Sequence, residues 1–447
     1  MIARFKLAKG LDIAMAGTPA QRISSGPGVN SVALVGTDFA DLHPRILVEP
    51  GQQVRLGEPL LIDKRNPAIQ FVSPGSGTVT TINRGYRRSL QSVVIELDES
   101  SVDEQRFPVP ETQDQTALRN WLLRSGTWTS LRTRPFDRIP DPSTSPDAIF
   151  VTAMDTRPLA ADPVVVIDHY ADEFARGMHV IANLAAVPVY LCTGPDWAAQ
   201  PDTASNIKHC IFTGPHPAGL PGTHMHYLYP VSAQRQAWHI NYQHVIAIGH
   251  LARTGSIMTE RVVALGGAGV NDPRLIVTRP GANLTELISK ELAAICDYQV
   301  ISGSVLDGFA AESPRDFLGH YHNQVSVLAD YSESRLWGWY QSGFGQRSNH
   351  LSRRPDPASS NAPTNAQHGR KTAMLATERF ERVLPLDLLP APLLRALLVK
   401  DTDSAQALGC LELAEDDLAL CSYVCPAKQD YGTALRTNLS ELAELVS

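Results

Sequence analysis

The chain lacks the marks of a membrane-spanning, exported or nucleic-acid-binding protein. None of its 447 residues falls in a run of the roughly 18 to 20 apolar residues that a spanning helix needs. The nearest stretch, 388–399, is broken by Pro390, Pro392 and Arg395. Charge of neither sign accumulates: 39 Lys and Arg stand against 46 Asp and Glu, for a net charge of −7 spread without blocks. A nucleic-acid binder normally carries a basic excess or stripe, so no nucleic acid is expected as a partner. The opening Met1-Ile-Ala-Arg-Phe-Lys6 has no apolar core followed by a small-residue cleavage site, so no secretory signal is expected. Cysteine is scarce, and three of the six (Cys192, Cys210, Cys296) are isolated. That usage argues against a secreted disulfide framework and fits a reducing cytoplasm.

Catalytic signatures are missing too. There is no G-x-x-x-x-G-K-[ST] loop and no G-x-S-x-G elbow. Gly266-Gly-Ala-Gly269 is the nearest approach to a phosphate loop, but Val270-Asn-Asp-Pro273 opens no helix after it. It reads as a flexible turn following a strand at 261–265. His224-Met-His226 and His320-Tyr-His322 would share a face if each lay in a strand, yet no Cys or carboxylate partner stands at diagnostic metal spacing. Cys410, Cys421 and Cys425 form C-x10-C-x3-C, which is neither the count nor the spacing of a cubane cluster. Buried thiols packing a helical hairpin are the expectation. On spacing alone no catalytic, cofactor-binding or metal-binding residue is assigned.

What is present is a multidomain α/β pattern with room for about three cores. Over residues 1–100, short β-type runs at 32–35, 45–48, 79–82 and 92–97 are separated by Gly and Pro. Gly51, Gly57 and Gly77 fit tight turns there. The paired pattern resembles the barrel-sandwich hybrid fold of biotinyl and lipoyl domains. A carrier protein is the alternative function it suggests, but the hairpin tip Asp63-Lys-Arg-Asn-Pro67 lacks the carrier lysine motif, so Lys64 and Arg65 read as a solvated turn. Residues 101–146 read as a connector with one helical interval at 117–124. From 147 to 265, strands at 148–153, 187–192 and 210–213 alternate with a helix expected over 167–185, as in a parallel, Rossmann-like sheet. A small α+β unit is expected over 266–340, with strands at 298–302 and 325–329. A mobile loop is expected over 341–374, too poor in apolar residues to fold alone, and a helical segment over 375–447.

Longer segments carry a resemblance. Lys9-Gly-Leu-Asp-Ile13, Leu90-Gln-Ser-Val-Val-Ile-Glu96, Phe150 to Asp162, Thr213 to His224, Val300 to Leu306, Tyr321 to Val327, and the tail from Leu386 through Lys400–Leu413 to Asp417–Pro426 are similar to the A-subunit family of the bacterial Na+-translocating NADH:quinone oxidoreductase, Na+-NQR. The resemblance covers nearly the whole chain. It implies a peripheral subunit on the cytoplasmic side of the inner membrane, in a complex that couples NADH oxidation and ubiquinone reduction to sodium export. It also implies that NADH, FAD, FMN, riboflavin and iron centres belong to the partner chains of the complex, its B to F subunits. This subunit would bind no redox cofactor, contribute to quinone binding beside the membrane-embedded B subunit, and reach the membrane through its partners. The implied third unit is β-grasp or SLBB-like. In fold the chain is also similar to the flavin-binding subunit of complex I and the C subunit of the Rnf complex, whose flavin-loop and cluster cysteines it lacks. No catalytic residue is therefore carried over. His224, His226, His320, Tyr321 and His322 are the side chains that could donate to a quinone head group, without being assigned to one. The N-terminal β unit and the C-terminal helices are expected to contribute to docking.

Overall fold

Ala148-Ile-Phe-Val-Thr-Ala153 is apolar or β-branched throughout, and all six residues are buried in a computed structural model of the chain. Burial on both faces is what a central strand of a parallel sheet requires. The structure describes residues 2–98, 103–111, 114–197, 204–293, 298–329 and 371–446. Most of the expected loop at 341–374, and Cys296, lie outside the described residues.

The strand Ala148–Ala153 pairs in parallel with Val189–Thr193 on one side and Ala237–Asn241 on the other, and Val189–Thr193 pairs in parallel with Ile207–Thr213. Taken in chain order these four strands lie 3-2-1-4, the arrangement of a doubly wound sheet. Ala3–Lys6 extends one edge in parallel and Arg132–Arg134 closes the other antiparallel.

The helix expected over 167–185 is two helices, Pro163–His169 and Ala171–Leu184, parted at Tyr170. Pro163 takes the first helical position, where its missing N–H costs nothing, and the Asp162 carboxylate caps Val164 N. Ala171–Leu184 packs on Tyr242–Thr254 through two glycines. A Cβ on Gly177 would stand 2.0 Å from Val245 O, and one on Gly249 would stand 1.7 Å from Glu173 O. The two backbones touch only because both side chains are absent.

The N-terminal unit folds as two small sheets around one core, with strands in the order 31–35, 90–97, 77–84, 53–54 and in the order 44–46, 59–63, 70–72. Val32, Leu60, Leu61, Val79, Val93 and Ile95 are fully buried in it. The chain's first strands lie elsewhere: Ala3–Lys6 is in the doubly wound sheet, and Ala20–Ser25 pairs with Arg274–Thr278 in a third layer. That layer runs 309–310, 298–302, 324–329, 261–266, 274–278, 20–25. Gly266 to Gly269 ends the strand Arg261–Gly266 in the turn expected there, and that turn is close-packed within the layer. Gly267 has φ +115°, a Cβ there would stand 2.1 Å from Val327 O, and its N–H donates to Gly17 O at 2.9 Å.

Five helices, Arg379–Val383, Pro390–Val399, Thr402–Ala407, Ala419–Val424 and Tyr431–Val446, build a separate core in which Cys410, Cys421 and Cys425 are buried. Cys425 Sγ lies 3.3 Å from the Tyr431 hydroxyl. Burial pushes the Cys410 and Cys421 thiols up to about 12, which keeps them protonated packing groups.

Candidate functional site

In a sheet of 3-2-1-4 order, ligands enter beyond the carboxyl ends of the first and fourth strands. Here that crevice is occupied by the chain itself. Met154-Asp-Thr-Arg157 leaves the first strand, and Asn241 ends the fourth. Asn323 donates to Asn241 Oδ1 at 2.9 Å, and Gln324 Nε2 donates to Pro158 O at 2.9 Å. Arg157 gathers three carboxylates: Nε donates to Asp307 Oδ2 at 2.6 Å, Nη2 to Asp416 Oδ2 at 3.1 Å, and Nη1 lies 3.4 Å from Asp155 Oδ1. The crevice is thus closed by the third layer, through Asp307, Asn323 and Gln324, and by the helical tail through Asp416.

A second cation lies alongside. Arg134, with no exposed side-chain surface, ends the antiparallel edge strand. The turn Pro135-Phe-Asp137 brings Asp137 back against its guanidinium, with Phe136 and Asp137 in the left-handed region at φ 78° and 49°. Arg132 Nη1 reaches Asp137 Oδ2 at 2.9 Å, and His239 Nε2 lies 3.0 Å from Asp137 Oδ1. The far end of Arg134 is paired more loosely, with Nη2 at 3.5 Å from Asp417 Oδ2 and 3.7 Å from Asp416 Oδ1. Glu415 takes Arg436 in a two-point contact at 2.6 and 2.7 Å, and Arg436 Nη1 donates to Phe136 O at 2.7 Å.

Burial and pairing divide these acids. Burial raises the Asp137 and Asp307 carboxyls, but their arginines outweigh it and hold both below the ordinary carboxylate range. Burial pushes Asp417 up to about 7, the adjacent Asp416 carboxylate adds to it, and the looser contact with Arg134 offsets it only in part. Burial holds His239 neutral, pulled down to about 3. The cluster holds arginines and carboxylates at fixed positions and joins three units of the fold.

A cleft of about 700 Å³ opens at its rim, between Asp307 and Gly308 on one side and the Tyr431–Val446 helix on the other. Glu415, Asp430, Arg436, Glu441 and Glu444 face it. Its volume would suit a small molecule, but the carboxylates oppose an isoprenoid tail, which needs apolar walls.

The side chains weighed from the sequence are engaged elsewhere. His224 and His226 lie on the helix Pro221–Leu228 and not in a strand, so positions i and i+2 face away from each other. His224 Nε2 meets Ala218 O at 2.9 Å, whereas His226 accepts from Asp387 N and donates to Glu412 Oε2 at 2.8 Å. Tyr321 donates to Thr129 O at 2.8 Å, and His322 Nδ1 lies 2.9 Å from Ser302 Oγ. His320 stacks on His244 with centroids 5.0 Å apart. None of the five lines the cleft. The residues that do organise the joint, Arg134, Asp137, Arg157, Asp307, Asp416 and Asp417, were not singled out from the sequence. A charged residue carries no local sign of burial, and only the left-handed turn after Pro135 is a local signal.

Three family models match in turn: the NqrA N-terminal barrel-sandwich hybrid domain over 5–98, the NqrA second alpha/beta domain over 113–257, and the NQRA C-terminal domain, of SLBB type, over 262–313. The proteins named as A subunits of the Na(+)-translocating NADH-quinone reductase from Yersinia pseudotuberculosis and Neisseria gonorrhoeae are 44% and 45% identical to this chain, each over 98% of it and 99% of their own length. The protein of the same name from Pseudomonas aeruginosa is 45% identical over the same shares. The chain belongs to the family of A subunits of the Na+-translocating NADH-quinone reductase, a multisubunit enzyme complex.

Proposed function

We propose that this chain is the peripheral subunit on the cytoplasmic side of the bacterial inner membrane, that it carries no redox cofactor of its own, and that it forms one wall of a quinone site completed by the membrane-embedded B subunit. The observation that carries the reading is the end-to-end similarity to named A subunits at 44–45% identity. In this reading NADH, the flavins and the iron centres belong to the B to F subunits.

Two features of the site support it. The loop after the first strand, Met154 to Asp162, has no glycine and carries Asp155 and Asp162, so a pyrophosphate would meet carboxylates where a dinucleotide site offers backbone N–H groups. The crevice itself is filled by Arg157, Asp307 and Asn323. The rim cleft has the size for a head group without the apolar lining for a tail, which fits a half-site that gains its apolar wall from a membrane-embedded partner. Among the described residues no helix is long and apolar enough to cross a membrane, so partner contacts would hold the chain there.

The test is calorimetric titration of a short-chain ubiquinone analogue into the purified chain and into the assembled complex, with an absorbance spectrum of each. Saturable binding is expected only with the complex, and a flavin band only in the complex. Saturable binding to the chain alone, or a flavin band in it, would overturn the shared site or the cofactor-free reading respectively.

A further inference from the structure

Against a chain of net charge −7, one surface feature runs the other way. The strands Gly77–Arg84 and Leu90–Leu97 form a hairpin whose connecting segment reads Arg84-Gly-Tyr-Arg-Arg-Ser89. No Asp or Glu occurs between Asp63 and Glu96. All six residues of that segment are exposed, Tyr86 at 82%, and none of its three arginines enters an ion pair among the described residues.

The tip is nevertheless held in one shape. Gly85 N donates to Ser89 O at 2.8 Å, Arg88 N to Gly85 O at 3.1 Å, Ser89 N to Tyr86 O at 3.1 Å, and Arg84 Nη1 to Arg88 O at 3.2 Å. Below it, Asn83 donates to Ser92 Oγ at 3.0 Å, and Ser92 in turn donates to Pro314 O at 2.6 Å, which fastens the hairpin to the third layer. Arg87 and Arg88 sit at φ +52° and +63°, where glycine or asparagine would be at ease and a long side chain is strained. The Arg87 guanidinium stands 5.3 Å from the Tyr86 ring centroid. The backbone thus tolerates strain to present two adjacent cations beside an aromatic ring, and among the described residues neither is paired with a carboxylate.

We propose that this tip is a membrane-contact element that takes the anionic headgroups of a phospholipid bilayer. The inference rests on the reading of the chain as a peripheral member of a membrane complex. A six-residue tip is far too small for the roughly 800 Å² per partner of a stable protein interface. A bilayer surface asks for no shape complementarity. It rewards each nearby arginine separately, and the interfacial zone favours tyrosine.

The test uses the full chain on vesicles of phosphatidylethanolamine with phosphatidylglycerol and cardiolipin, and on phosphatidylcholine vesicles, with co-purification of the assembled complex measured in parallel. We expect binding to the anionic vesicles alone, weakening as salt is raised, and falling about fivefold for each arginine changed to serine at 84, 87 and 88. Tyr86→Ser should weaken it less, and an arginine-to-lysine triple variant should retain it. A control triple, Arg124→Ser, Arg176→Ser and Arg395→Ser, removes the same charge from exposed helix positions. Equal loss in that control would overturn the proposal, as would unchanged binding in the tip variant. So would a tip variant that binds vesicles normally but no longer co-purifies in lipid-free detergent, because the tip would then read a protein partner. If the parent chain binds anionic vesicles through the arginines yet never assembles with membrane partners, the peripheral-subunit reading fails while the headgroup contact stands.

Discussion

Arginine serves opposite ends at two places in this molecule. At the joint of the three units, buried Arg134 and half-buried Arg157 are surrounded by Asp137, Asp155, Asp307, Asp416 and Asp417. At the hairpin tip, Arg84, Arg87 and Arg88 stand in water with no carboxylate near them in sequence. Removing a guanidinium from water is costly, and the cost is met only where carboxylates converge on it in the right geometry. Such a cation locks segments far apart in sequence and has no attraction left for a ligand. The tip arginines keep theirs. The same side chain is a fastening in one setting and a recognition element in the other, and its surroundings decide which.

The comparison can be broken most sharply from the buried side. Arg134→Met should destabilise the chain by about 3–5 kcal/mol, because Asp137 loses one of its two arginine contacts and Asp417 stays buried without its cation. Urea unfolding would measure it. A loss under about 1 kcal/mol would mean that the joint is not tightly paired.

Acid should separate the two regions next. Burial pulls His216, His224, His239 and His320 down to about 3, and His322 to about 4, so all are neutral in the fold and titrate near 6.5 when unfolded. Their contribution is fully present above about pH 6.5 and is lost as pH falls towards about 3, with several protons taken up on unfolding. Melting temperature should therefore drop steeply across that window. Vesicle binding should stay flat above the unfolding pH, because arginine remains charged throughout.

Asp417→Asn should give a smaller effect of opposite slope. The carboxyl is raised to about 7, so the folded protein binds a proton there that the unfolded chain has released above about pH 4. The wild type loses that contribution as pH rises from about 4 to 7, and asparagine cannot. The variant's stability relative to wild type should therefore improve by about 1 kcal/mol or more between about pH 5 and 8. A constant difference across that range would refute it.

The smallest expected change is at the tip. Arg87→Gly and Arg88→Gly should each leave the fold unchanged or more stable by up to about 1 kcal/mol, since glycine relieves the positive φ. Vesicle binding should weaken at the same time. A stability gain with undiminished binding would show that the strain serves nothing at the membrane.

Much of the architecture was legible in the residues. The buried run 148–153, the strand at 298–302 and the helix within 115–124 follow from apolar periodicity and bounding turns. The helix expected over 167–185 shows the limit: its apolar spacing is continuous, and the break at Tyr170 accompanies a hydroxyl contact to Glu260 at 2.8 Å, ninety residues away. The strands at 3–6 and 20–25 were equally beyond local reading as partners of the second and third sheets, because a short strand's partner is not written in the strand. The histidine pairs failed as a site for a related reason, since the period-2 argument holds only in a strand and His224 and His226 are helical.

By itself the sequence determined the family, the alternation of strands and helices, and the poverty of cofactor signatures, because long matched runs, periodicity and motif spacing are all local properties. Only the tertiary structure decided that the doubly wound crevice is closed by Asp307, Asn323 and Asp416, and that Arg134 and Arg157 are enclosed by carboxylates while Arg84, Arg87 and Arg88 are exposed, two of them on strained backbone. Burial of a charge is settled by residues hundreds of positions away, as with Arg157 and Asp416, and no window along the chain can contain both.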